Sequence, residues 1–358
     1  MKKRVVVAMS GGVDSSVAAA LLKSQGYDVI GLTMCFNLAE KPGEKPSCCG
    51  LAGIEDARRV CHNLGISHYV LNLDKDFYQK VISNFYDEYL SGRTPNPCVR
   101  CNQFIKFGIL LKKALNLQAE FLATGHYARI IKSDQGYLLK KAKDRKKDQS
   151  YFLYRLTQAQ LKRVIFPLGN FTKTKVRQMA EKFKLSVAAK QDSQEICFLP
   201  DGKYADFIKA GRQGSVKPGS FVDKNGNPLG KHSGLAFYTI GQRHGLGIAA
   251  ANPLYVTQIN ALHNQVSVGL RQEVYKREFT VKQVHFLRKS FKKKIEIKVR
   301  IRYNHQEASA VVYPDKDKAK VMFKQPQFAI TPGQSAVFYD QDTVLGGGII
   351  QKVIGSHD

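Results

Sequence analysis

The sequence predicts an α/β domain built on a parallel sheet, followed by a small central β-rich domain and a C-terminal antiparallel β-barrel. Three observations support this prediction. Short apolar runs alternate with helical patterns in the first third of the chain, Gly and Pro become dense between Gly214 and Gly247, and a period of two dominates from about Val274 onwards. We expect domains at 1–204, 205–272 and 273–358, a division that suits a chain of 358 residues.

The first domain is predicted to alternate strands and helices. Val5–Ala8 is a β-branched run typical of a buried strand, and Ser15–Ser24 is a helical pattern that Gly26 ends. Ligands of parallel sheets bind beyond the carboxyl ends of the strands, so the loops that follow these strands are candidate sites. The same alternation predicts the strands Val29–Met34, His68–Leu73 and Phe121–Thr124 and the helix Ile54–Leu64.

The later part of the chain is predicted to be rich in strands. Ala236–Ile240 is expected to form a short strand within the Gly-rich and Pro-rich stretch. Beyond it, apolar and polar residues alternate in several runs that turn signals separate, which is typical of a small antiparallel barrel. These runs are Ile295–Tyr303, Ala310–Tyr313, Lys320–Phe323 and Ala336–Tyr339.

Positive charge is the strongest feature of the composition. Lys and Arg number 56 against 29 Asp and Glu, which gives a net charge of +27. The stretch Arg271–Arg300 holds eleven basic and three acidic residues, and Lys140–Lys147 holds six basic residues and one Asp. Solubility does not require such an excess, and a lipid surface would favour a basic amphipathic helix over these strand-like runs. The charge therefore predicts a polyanionic partner such as a nucleic acid.

Membrane and secreted classes of protein are disfavoured. No apolar run approaches the roughly 20 residues that a membrane-spanning helix needs. The basic start Met1–Arg4 leads into Val5–Ala8, which is too short for a secretory leader and is not followed by a small-residue cleavage site. Seven cysteines are an odd number in a large chain, which argues against a disulfide framework. We therefore predict a cytoplasmic protein with no membrane partner.

The segment Ser10–Ser16, with the sequence SGGVDSS, stands between the first predicted strand and the first predicted helix. Its glycines let backbone N–H groups face an anion, and the helix N-terminus adds partial positive charge. Asp14 cannot stabilise a bare phosphate, so it is predicted to meet a Mg²⁺ ion that does. The segment lacks the lysine of the G-x-x-x-x-G-K-[ST] loop. The alternative is a plain strand-to-helix turn in which a serine caps the helix.

The cysteines suggest a reactive site. Cys98 and Cys101 precede Asn102, a good N-cap for the helix expected after it. A cysteine near that helix end and beside Arg100 is expected to have a lowered pKa, which favours the thiolate. A zinc half-site is the alternative, although no second C-x-x-C or His pair completes a tetrahedral set. Cys197 lies in the apolar sequence I-C-F-L, where an inert buried thiol is the alternative to a reactive one.

Together these segments resemble the tRNA-specific 2-thiouridylases, which belong to the ATP pyrophosphatases. SGGVDSS resembles the pyrophosphate loop of these enzymes, which cut ATP between the α and β phosphates and pass AMP to an oxygen of their substrate. The resemblance implies an adenine nucleotide alpha hydrolase-like first domain and a tRNA-uridine 2-sulfurtransferase that makes 2-thiouridine at the wobble position. It extends over essentially the whole chain, through Thr124–Arg129, Lys147–Leu153, Asp192–Phe198, Tyr238–Gly247 and Pro332–Tyr339.

The resemblance also implies a role for each matching residue. Cys197 would accept sulfur as a persulfide from a sulfur-carrier protein or cysteine desulfurase. Cys101 would be the partner thiol, which frees the product and closes a transient disulfide with Cys197. ATP with Mg²⁺ would be held by Ala8, Met9, Ser10, Gly11, Gly12, Val13, Asp14, Ser15, Met34 and Gly125. The target base would meet Asn96, Pro97 and Cys98, and the rest of the tRNA would meet His126, Asp148, Gln149, Ser150, Arg302, Tyr303 and Gln334.

Cys98 departs from the family pattern, because many members carry Asp at this position. With Cys101 and Cys197 it could instead ligate an iron–sulfur cluster with one iron left open, and that cluster could carry the sulfur in place of a persulfide. Two other functions stay open: an ATP-dependent synthetase of a small amide or guanidine, and a non-catalytic RNA-binding protein. The large positive charge disfavours the first, and the intact loop with its paired thiols disfavours the second.

Overall fold

The structure is a computed structural model that describes residues 2–36, 51–191, 196–199, 204–211, 214–288, 291 and 293–355. Most of the predicted loop Asn37–Gly53, with Cys48 and Cys49, lies outside these residues, as do positions 192–195 of the segment before Cys197. Backbone contacts divide the chain into two compact units. The first unit comprises 1–81, 98–202 and 342–344, and the second comprises 82–97, 203–341 and 345–358.

A parallel sheet forms the centre of the first unit. Its strands and those of an adjoining hairpin are β1 (Arg4–Ala8), β2 (Asp28–Cys35), β3 (Ser67–Asn72), β4 (Phe121–Ala123), β5 (Ala128–Ser133), β6 (Gly136–Lys141) and β7 (Val164–Ile165). The sheet has the order β3-β2-β1-β4-β7 with every pairing parallel, and β5 pairs antiparallel with β6. The valines of β1 are fully buried, because a parallel strand is covered on both faces.

The order in which the chain adds strands to the sheet reverses at β1. This strand has β2 on one side and β4 on the other, so the chain turns to opposite edges of the sheet when it leaves these strands. Such a switch point opens a crevice at the carboxyl end of the central strand, where ligands of open α/β sheets bind. The loop after β1 leads directly into α1 (Val13–Ser24), whose N-cap is Gly12 and whose Val17 and Leu22 pack into the core.

Helices are present in both units, and most of them belong to the first. The longest continuous helical segment contains a stretch of π-helix at Cys101–Leu110, between α5 and α6. The helices after α1 are α2 (Leu51–Asn63), α3 (Asp74–Phe77), α4 (Ser83–Leu90), α5 (Pro97–Arg100), α6 (Leu111–Asn116), α7 (Gln158–Leu161), α8 (Lys173–Lys182) and α9 (Tyr204–Gly211). Among the described residues, none of the helices combines the length and apolar character that crossing a membrane requires.

The second unit contains a four-stranded sheet and a closed barrel. Its strands are β8 (Gly219–Val222), β9 (Pro228–His232), β10 (Tyr255–Asn260), β11 (Gln265–Gly269), β12 (Tyr275–Phe286), β13 (Ile295–Arg300), β14 (Ala308–Asp315), β15 (Lys318–Phe328), β16 (Ser335–Asp340) and β17 (Thr343–Ile354). The four-stranded sheet has the order β10-β11-β8-β9. The barrel runs β12-β15-β14-β13-β16-β17 and closes through pairing of β12 with β17, around the buried rings of Phe279, Phe323 and Phe338.

The predicted fold class is confirmed. Each of the six elements predicted before residue 130 is present, with its ends within three residues of the prediction. The strand predicted at Ala236–Ile240 is wrong, because the chain forms a 3₁₀ turn at Leu235–Phe237. Gly234 and Gly241 bound this segment at φ values of 146° and 85°, which leaves too few extended residues for a ladder.

Candidate active site

The loop after β1 is a compact turn that its own hydroxyl groups hold. The Ser15 hydroxyl accepts a hydrogen bond from the Ser10 backbone N–H at 3.2 Å, and the Ser16 hydroxyl donates to the Gly12 carbonyl at 2.8 Å. Gly11 has a φ of 70°, and a Cβ there would lie 2.2 Å from the carbonyl oxygen of Gly53. Only glycine fits this close approach, so Gly11 is buried backbone to backbone against Gly53.

The loop after β4 forms a second wall. A Cβ on Gly125 would lie 2.8 Å from both the Asp14 carbonyl carbon and the Ser15 nitrogen, so this loop crosses the first turn of α1 at backbone distance. The structure thus brings together the predicted ATP residues of the Ser10–Ser15 segment and Gly125. Met34 lies near the carboxyl end of β2, and Met9 donates its N–H to the Leu32 carbonyl at 2.9 Å, so both lie at the same edge of the sheet.

Asp14 is held by two side chains from later in the chain. The Lys173 ammonium lies 2.8 Å from Oδ1 and 2.9 Å from Oδ2 of Asp14, and the Tyr127 hydroxyl donates to Oδ1 at 2.8 Å. Lys173 is the first residue of α8, and Thr172 caps that helix by accepting from the Lys175 N–H. The loop that lacks a lysine in its own sequence therefore has one supplied by the fold.

A second lysine reaches the loop from the other side. Lys190 donates to the Gly11 carbonyl at 3.0 Å and to Asp56 Oδ2 at 2.6 Å. Burial raises the pKa of the Asp56 carboxyl, but hydrogen bonds from Lys190 and Arg59 outweigh that effect, so the pKa lies below its ordinary value. Asp56 stays ionised and anchors the ammonium, which ties α2 to the loop.

The paired cysteines lie on one face of a helix. Cys98 is in α5 and Cys101 begins the π-helical stretch three residues later, a spacing that places both side chains on the same side. The helix begins at Pro97, a residue suited to the first helical position, so the prediction that Asn102 caps it is wrong. Asn102 is buried inside the helix, and its side-chain amide donates to the Phe152 carbonyl at 3.2 Å.

The predicted lowering of the thiol pKa is also wrong for Cys98. Burial raises the pKa of this thiol to about 11, with a smaller contribution from the neighbouring Cys197 thiol against the opposing charge of Lys106. Arg100 is directed elsewhere: its Nε donates to the Lys80 carbonyl at 2.8 Å, and its guanidinium lies 4.9 Å from the Phe104 ring centroid. Burial withdraws the thiolate from water, and that effect exceeds any stabilisation from the helix end.

Cys197 is exposed although its neighbours are buried. Phe198 and Leu199 are almost fully buried, and the Phe198 ring packs edge-to-face on Phe77 at 5.7 Å. The apolar context therefore anchors the chain and presents the thiol to solvent, so Cys197 is not an inert buried cysteine. The Cys197 thiol contributes to the raised pKa of Cys98, which indicates that the two side chains are near each other.

Several residues that were predicted to contact tRNA form hydrogen bonds within the first unit. The buried Asp148 accepts from the Ala142 N–H at 2.9 Å and from the Ser150 hydroxyl at 2.8 Å, while Gln149 accepts from the Tyr127 N–H at 2.9 Å. His126 is buried, its Nδ1 lies 2.7 Å from the Thr124 hydroxyl, and burial holds its pKa well below the ordinary value. The imidazole is therefore neutral at physiological pH.

The residues of the second unit that were predicted to contact tRNA make hydrogen bonds and ring contacts within that unit. The Gln334 amide donates to the Thr94 carbonyl at 3.2 Å and to the Pro95 carbonyl at 2.9 Å, directly before Asn96 and Pro97. Arg302 donates to the Ile240 carbonyl at 2.8 Å and also to the Thr331 hydroxyl. Tyr303 lies under the Arg300 guanidinium, 5.4 Å from it to the ring centroid. These side chains fix the segment that leads to Cys98.

Curated relatives match the chain over almost its whole length. The tRNA-specific 2-thiouridylase MnmA of Acetivibrio thermocellus is 51% identical over 357 residues, which cover 98% of this chain and 99% of the relative. The tRNA-specific 2-thiouridylase MnmA 1 of Caldanaerobacter subterraneus is 52% identical over 361 residues and covers 99% of each chain. This chain belongs to the tRNA-specific 2-thiouridylase family.

Family models match three consecutive stretches of this 2-thiouridylase family member. They are described as a tRNA methyl transferase HUP domain at residues 3–201, a tRNA methyl transferase PRC-barrel domain at 205–270 and an aminomethyltransferase beta-barrel domain at 276–350. These descriptions name methyl transferases, whereas the relatives that are half identical over the full length are 2-thiouridylases, and the relatives decide the family. The enzyme is thus a tRNA-modifying sulfurtransferase of the ATP-using pyrophosphatase fold.

Similarity to solved structures is lower. The U34-tRNA thiolase NcsA of Methanococcus maripaludis matches with a TM-score of 0.36 and 19% identity over 60% of this chain and 69% of that one. This likeness is too low to support an argument about the site.

Sequence reasoning missed Lys173, Lys190 and Tyr127 as parts of the site of this 2-thiouridylase. Lys173 lies 159 residues from Asp14 in the chain, and Lys190 lies 179 residues from Gly11. No local pattern marks either lysine in a chain with so many basic residues. The only available signal was that a phosphate loop without its own lysine invites a search for one elsewhere.

Proposed function

We propose that this 2-thiouridylase activates the C2 oxygen of the wobble uridine with ATP and replaces it with sulfur carried on Cys197, giving 2-thiouridine, AMP and pyrophosphate. The observation that carries this proposal is the arrangement of the thiols. Cys197 is exposed on an anchored turn, its thiol adds to the raised pKa of Cys98, and Cys101 lies one helical turn after Cys98. Such a set suits sulfur transfer and has no use in a protein that only binds RNA.

In the first step, ATP lies in the crevice beyond β1. The nucleotide is held by the backbone of Ala8–Val13, the hydroxyls of Ser10 and Ser15, Met34 and Gly125. Asp14 would hold a Mg²⁺ ion bound with ATP, and that ion would offset the negative charge of the phosphates. The N–H groups of the loop stabilise the charge that develops on pyrophosphate. The uridine C2 oxygen attacks the α-phosphorus, the bond to the β-phosphate oxygen breaks, and pyrophosphate leaves.

In the second step, sulfur replaces the activated oxygen. Cys197 carries a persulfide received from a sulfur-carrier protein or cysteine desulfurase. Its terminal sulfur attacks C2, and the C2–O bond breaks as AMP leaves, so that the base is joined to Cys197 through a disulfide. The Cys101 thiolate then attacks the Cys197 sulfur, which leaves the terminal sulfur on C2 and forms the Cys101–Cys197 disulfide. A thiol reductant regenerates both cysteines.

The tRNA is bound by charge and by contacts around the target base. Asn96, Pro97 and Cys98 receive the uridine, which must leave the anticodon stack to reach the thiols. The Cys98 thiol stays protonated below pH 9 because its pKa is raised to about 11, so it acts as a weak hydrogen-bond donor rather than a nucleophile. The residues that contact the tRNA, or hold the segments that contact it, are His126, Asp148, Gln149, Ser150, Arg302, Tyr303 and Gln334. The reaction takes place in the cytoplasm.

An iron–sulfur cluster on Cys98, Cys101 and Cys197 is the alternative sulfur carrier. Among the residues that the structure describes, no group of three or more His, Cys, Asp and Glu side chains is placed to hold a metal ion. The three thiols therefore do not fit a cluster in this arrangement, and we derive no step through one.

The decisive experiment is mass spectrometry of tRNA nucleosides after incubation with ATP and a sulfur carrier in air. We expect 2-thiouridine from the wild type and from Cys35→Ser, a matched thiol outside the trio, and none from Cys197→Ser or Cys101→Ser. Unchanged product from Cys197→Ser would overturn the proposed sulfur route. Formation of an amidated or guanidinylated small molecule instead of 2-thiouridine would favour a synthetase.

A second comparison separates the persulfide from the cluster. Cys98→Ser and Cys98→Asp should retain much of the aerobic activity, because each can still hydrogen-bond the base. If a cluster carries the sulfur, Cys98→Ser should lose both activity and bound iron, and only anaerobic reconstitution should restore the wild type. Iron content and activity measured on the same preparations distinguish the two routes.

A further inference from the structure

The ion pair between Asp14 and Lys173 occupies the place where a phosphate-binding cation is needed. Both carboxylate oxygens of Asp14 are within 2.9 Å of the Lys173 ammonium, and the Tyr127 hydroxyl takes a further position on Oδ1. Asp14 is in the first turn of α1, at the N-terminus whose N–H groups face the ligand. The ammonium therefore lies against the carboxylate at the helix end of the loop.

The backbone of Lys173 is fixed, whereas its charged side chain can change partners. Its backbone N–H donates to Asp144 Oδ2 at 2.9 Å, and α8 is capped by Thr172 directly before it, so the Cα position is fixed. The flexible four-carbon stem lets the ammonium change partners from this base. The Lys173 side chain is 12% exposed and that of Asp14 is 33% exposed, so the pair is sheltered on the lysine side and open on the aspartate side.

Lys190 shows the contrasting arrangement. Its ammonium is divided between the Gly11 carbonyl at 3.0 Å and the ionised Asp56 at 2.6 Å, and Asp56 also binds Arg59. A ligand that bound Lys190 would have to compete with a carboxylate outside the loop and would release the loop backbone. Lys190 thus stabilises the shape of the loop. The partner of Lys173 is instead Asp14, a loop residue whose carboxylate can pair with the cation of an incoming ligand.

We propose that Lys173 binds the β- and γ-phosphates of ATP, and that it does so by exchanging Asp14 for the pyrophosphate portion when ATP enters with its magnesium ion. The Asp14 carboxylate would then hold the magnesium ion that is bound with ATP, while the ammonium of Lys173 turns to the phosphate oxygens. Each charge leaves one opposite charge for another, so none is left unpaired in the sheltered site. The inference rests on the proposed function, in that ATP binds at this loop.

Lys173 remains protonated throughout, and no bond to it forms or breaks. It supplies to the leaving pyrophosphate the positive charge that a lysine within the loop supplies in other phosphate loops. As long as pyrophosphate is absent, Asp14 holds the ammonium and keeps it from binding other anions.

The test compares Lys173→Met with Lys173→Arg and with Lys175→Met, a matched control on the exposed side of the same helix. Affinities for magnesium ATP, inorganic pyrophosphate and AMP are measured by titration calorimetry. We expect Lys173→Met to weaken ATP and pyrophosphate binding by about tenfold to a hundredfold, the range for one charge-assisted hydrogen bond, and to leave AMP binding unchanged. Lys173→Arg should recover much of the loss, and Lys175→Met should match the wild type.

A second variant tests the exchange itself. Asp14→Asn removes the partner that Lys173 must leave, so pyrophosphate without magnesium should bind this variant more tightly than it binds the wild type. A lysine that serves only to neutralise Asp14 would not produce that gain. The double variant Asp14→Asn with Lys173→Met should lose the gain, since the free ammonium is its cause.

Two outcomes would overturn the inference. One is an equal loss of ATP and AMP affinity in Lys173→Met, which would indicate general damage to the site. The other is unchanged pyrophosphate affinity in both Lys173→Met and Asp14→Asn. A wild type that binds neither ATP nor pyrophosphate would instead contradict the proposed function, so the two failures are distinguishable.

Discussion

The pyrophosphate loop and the Pro332–Tyr339 segment both carry the family resemblance, and the polar side chains of the two segments have different kinds of partner. In the loop, Asp14 is paired with the Lys173 ammonium, and the Asp14 side chain is 33% exposed. In the later motif, Gln334 donates to two backbone carbonyls, and Gly333 lies so close to Thr94 that a Cβ would come within 2.7 Å of its carbonyl oxygen. We propose that the first motif binds a ligand, whereas the second holds another segment of the chain.

This difference shows what a polar motif can mean. Side chains that bind a ligand keep exchangeable partners, such as an ion pair at a partly open position. Side chains that organise the fold make hydrogen bonds to backbone carbonyls, which cannot leave. A variant should therefore lose activity with normal stability in the first region, and lose stability in the second.

The largest expected effect follows from Asp14→Ala. Loss of the carboxylate at the pyrophosphate end should lower the rate of ATP/pyrophosphate exchange with tRNA by about a hundredfold or more. Affinity for tRNA should stay nearly unchanged, because the residue serves the nucleotide. Asp134→Ala, at an exposed turn, is the control. Unchanged turnover in Asp14→Ala would remove the loop from the active site.

The next effect concerns the basic surface of the barrel. Lys293, Lys294 and Lys298 are exposed on or beside β13. Replacing all three by Glu should weaken tRNA binding and reduce the slope of log affinity against log salt by about 0.9 for each phosphate contact that is lost. Filter binding at several salt concentrations measures both quantities, with Lys224→Glu as the control. An unchanged slope would mean that this surface faces another partner.

Gln334→Ala tests the second of the two motifs, in which the side chain holds another segment of the chain. The variant leaves the carbonyls of Thr94 and Pro95 without their side-chain donor, at a cost of about 1–3 kcal/mol in the free energy of unfolding. Denaturant melts should show that loss, while ATP binding stays normal. Gln306→Ala, at an exposed position, should melt like the wild type. A Gln334→Ala variant of full stability that has lost tRNA affinity would show that the side chain contacts tRNA directly.

The smallest effect is a change in the pH dependence of one thiol. Because the pKa of Cys98 is raised to about 11, its thiolate fraction and its alkylation rate should rise by about tenfold per pH unit up to that value. In the protein unfolded in urea, the same rise should end near the ordinary thiol pKa. Mass spectrometry of the Cys98 peptide after brief iodoacetamide treatment measures both profiles. A plateau near pH 9 in the folded protein would contradict the assigned burial effect.

The stability contribution of this thiol has the corresponding sign. A pKa that is raised in the folded state means that the neutral thiol is favoured by folding. The contribution is therefore fully present below the ordinary pKa of 9.0 and is lost as the pH rises through about 11.

The sequence by itself determined the fold class, and it predicted the phosphate loop and the reactive thiols. These depend on short-range features: a β-branched run followed by glycines predicts a strand and a tight turn wherever it occurs, and the polarity alternation of the barrel strands follows from a two-residue period. The helix start at Pro97 also follows from a local rule, because proline favours the first helical position, and in this chain that rule prevails over the capping preference of Asn102.

Only the tertiary structure decided which charges meet at the loop and how burial and neighbouring charges shift the pKa of Cys98. Lys173 reaches Asp14, and Cys197 reaches Cys98, across long stretches of chain. Their proximity depends on the order of the strands in the sheet and on how α8 packs against α1. The pKa of Cys98 depended in the same way on burial, because the free energy of a charge is set by every group around it and not by its neighbours in sequence. Local chemistry therefore predicted what the site contains, and packing decided which partners each group has.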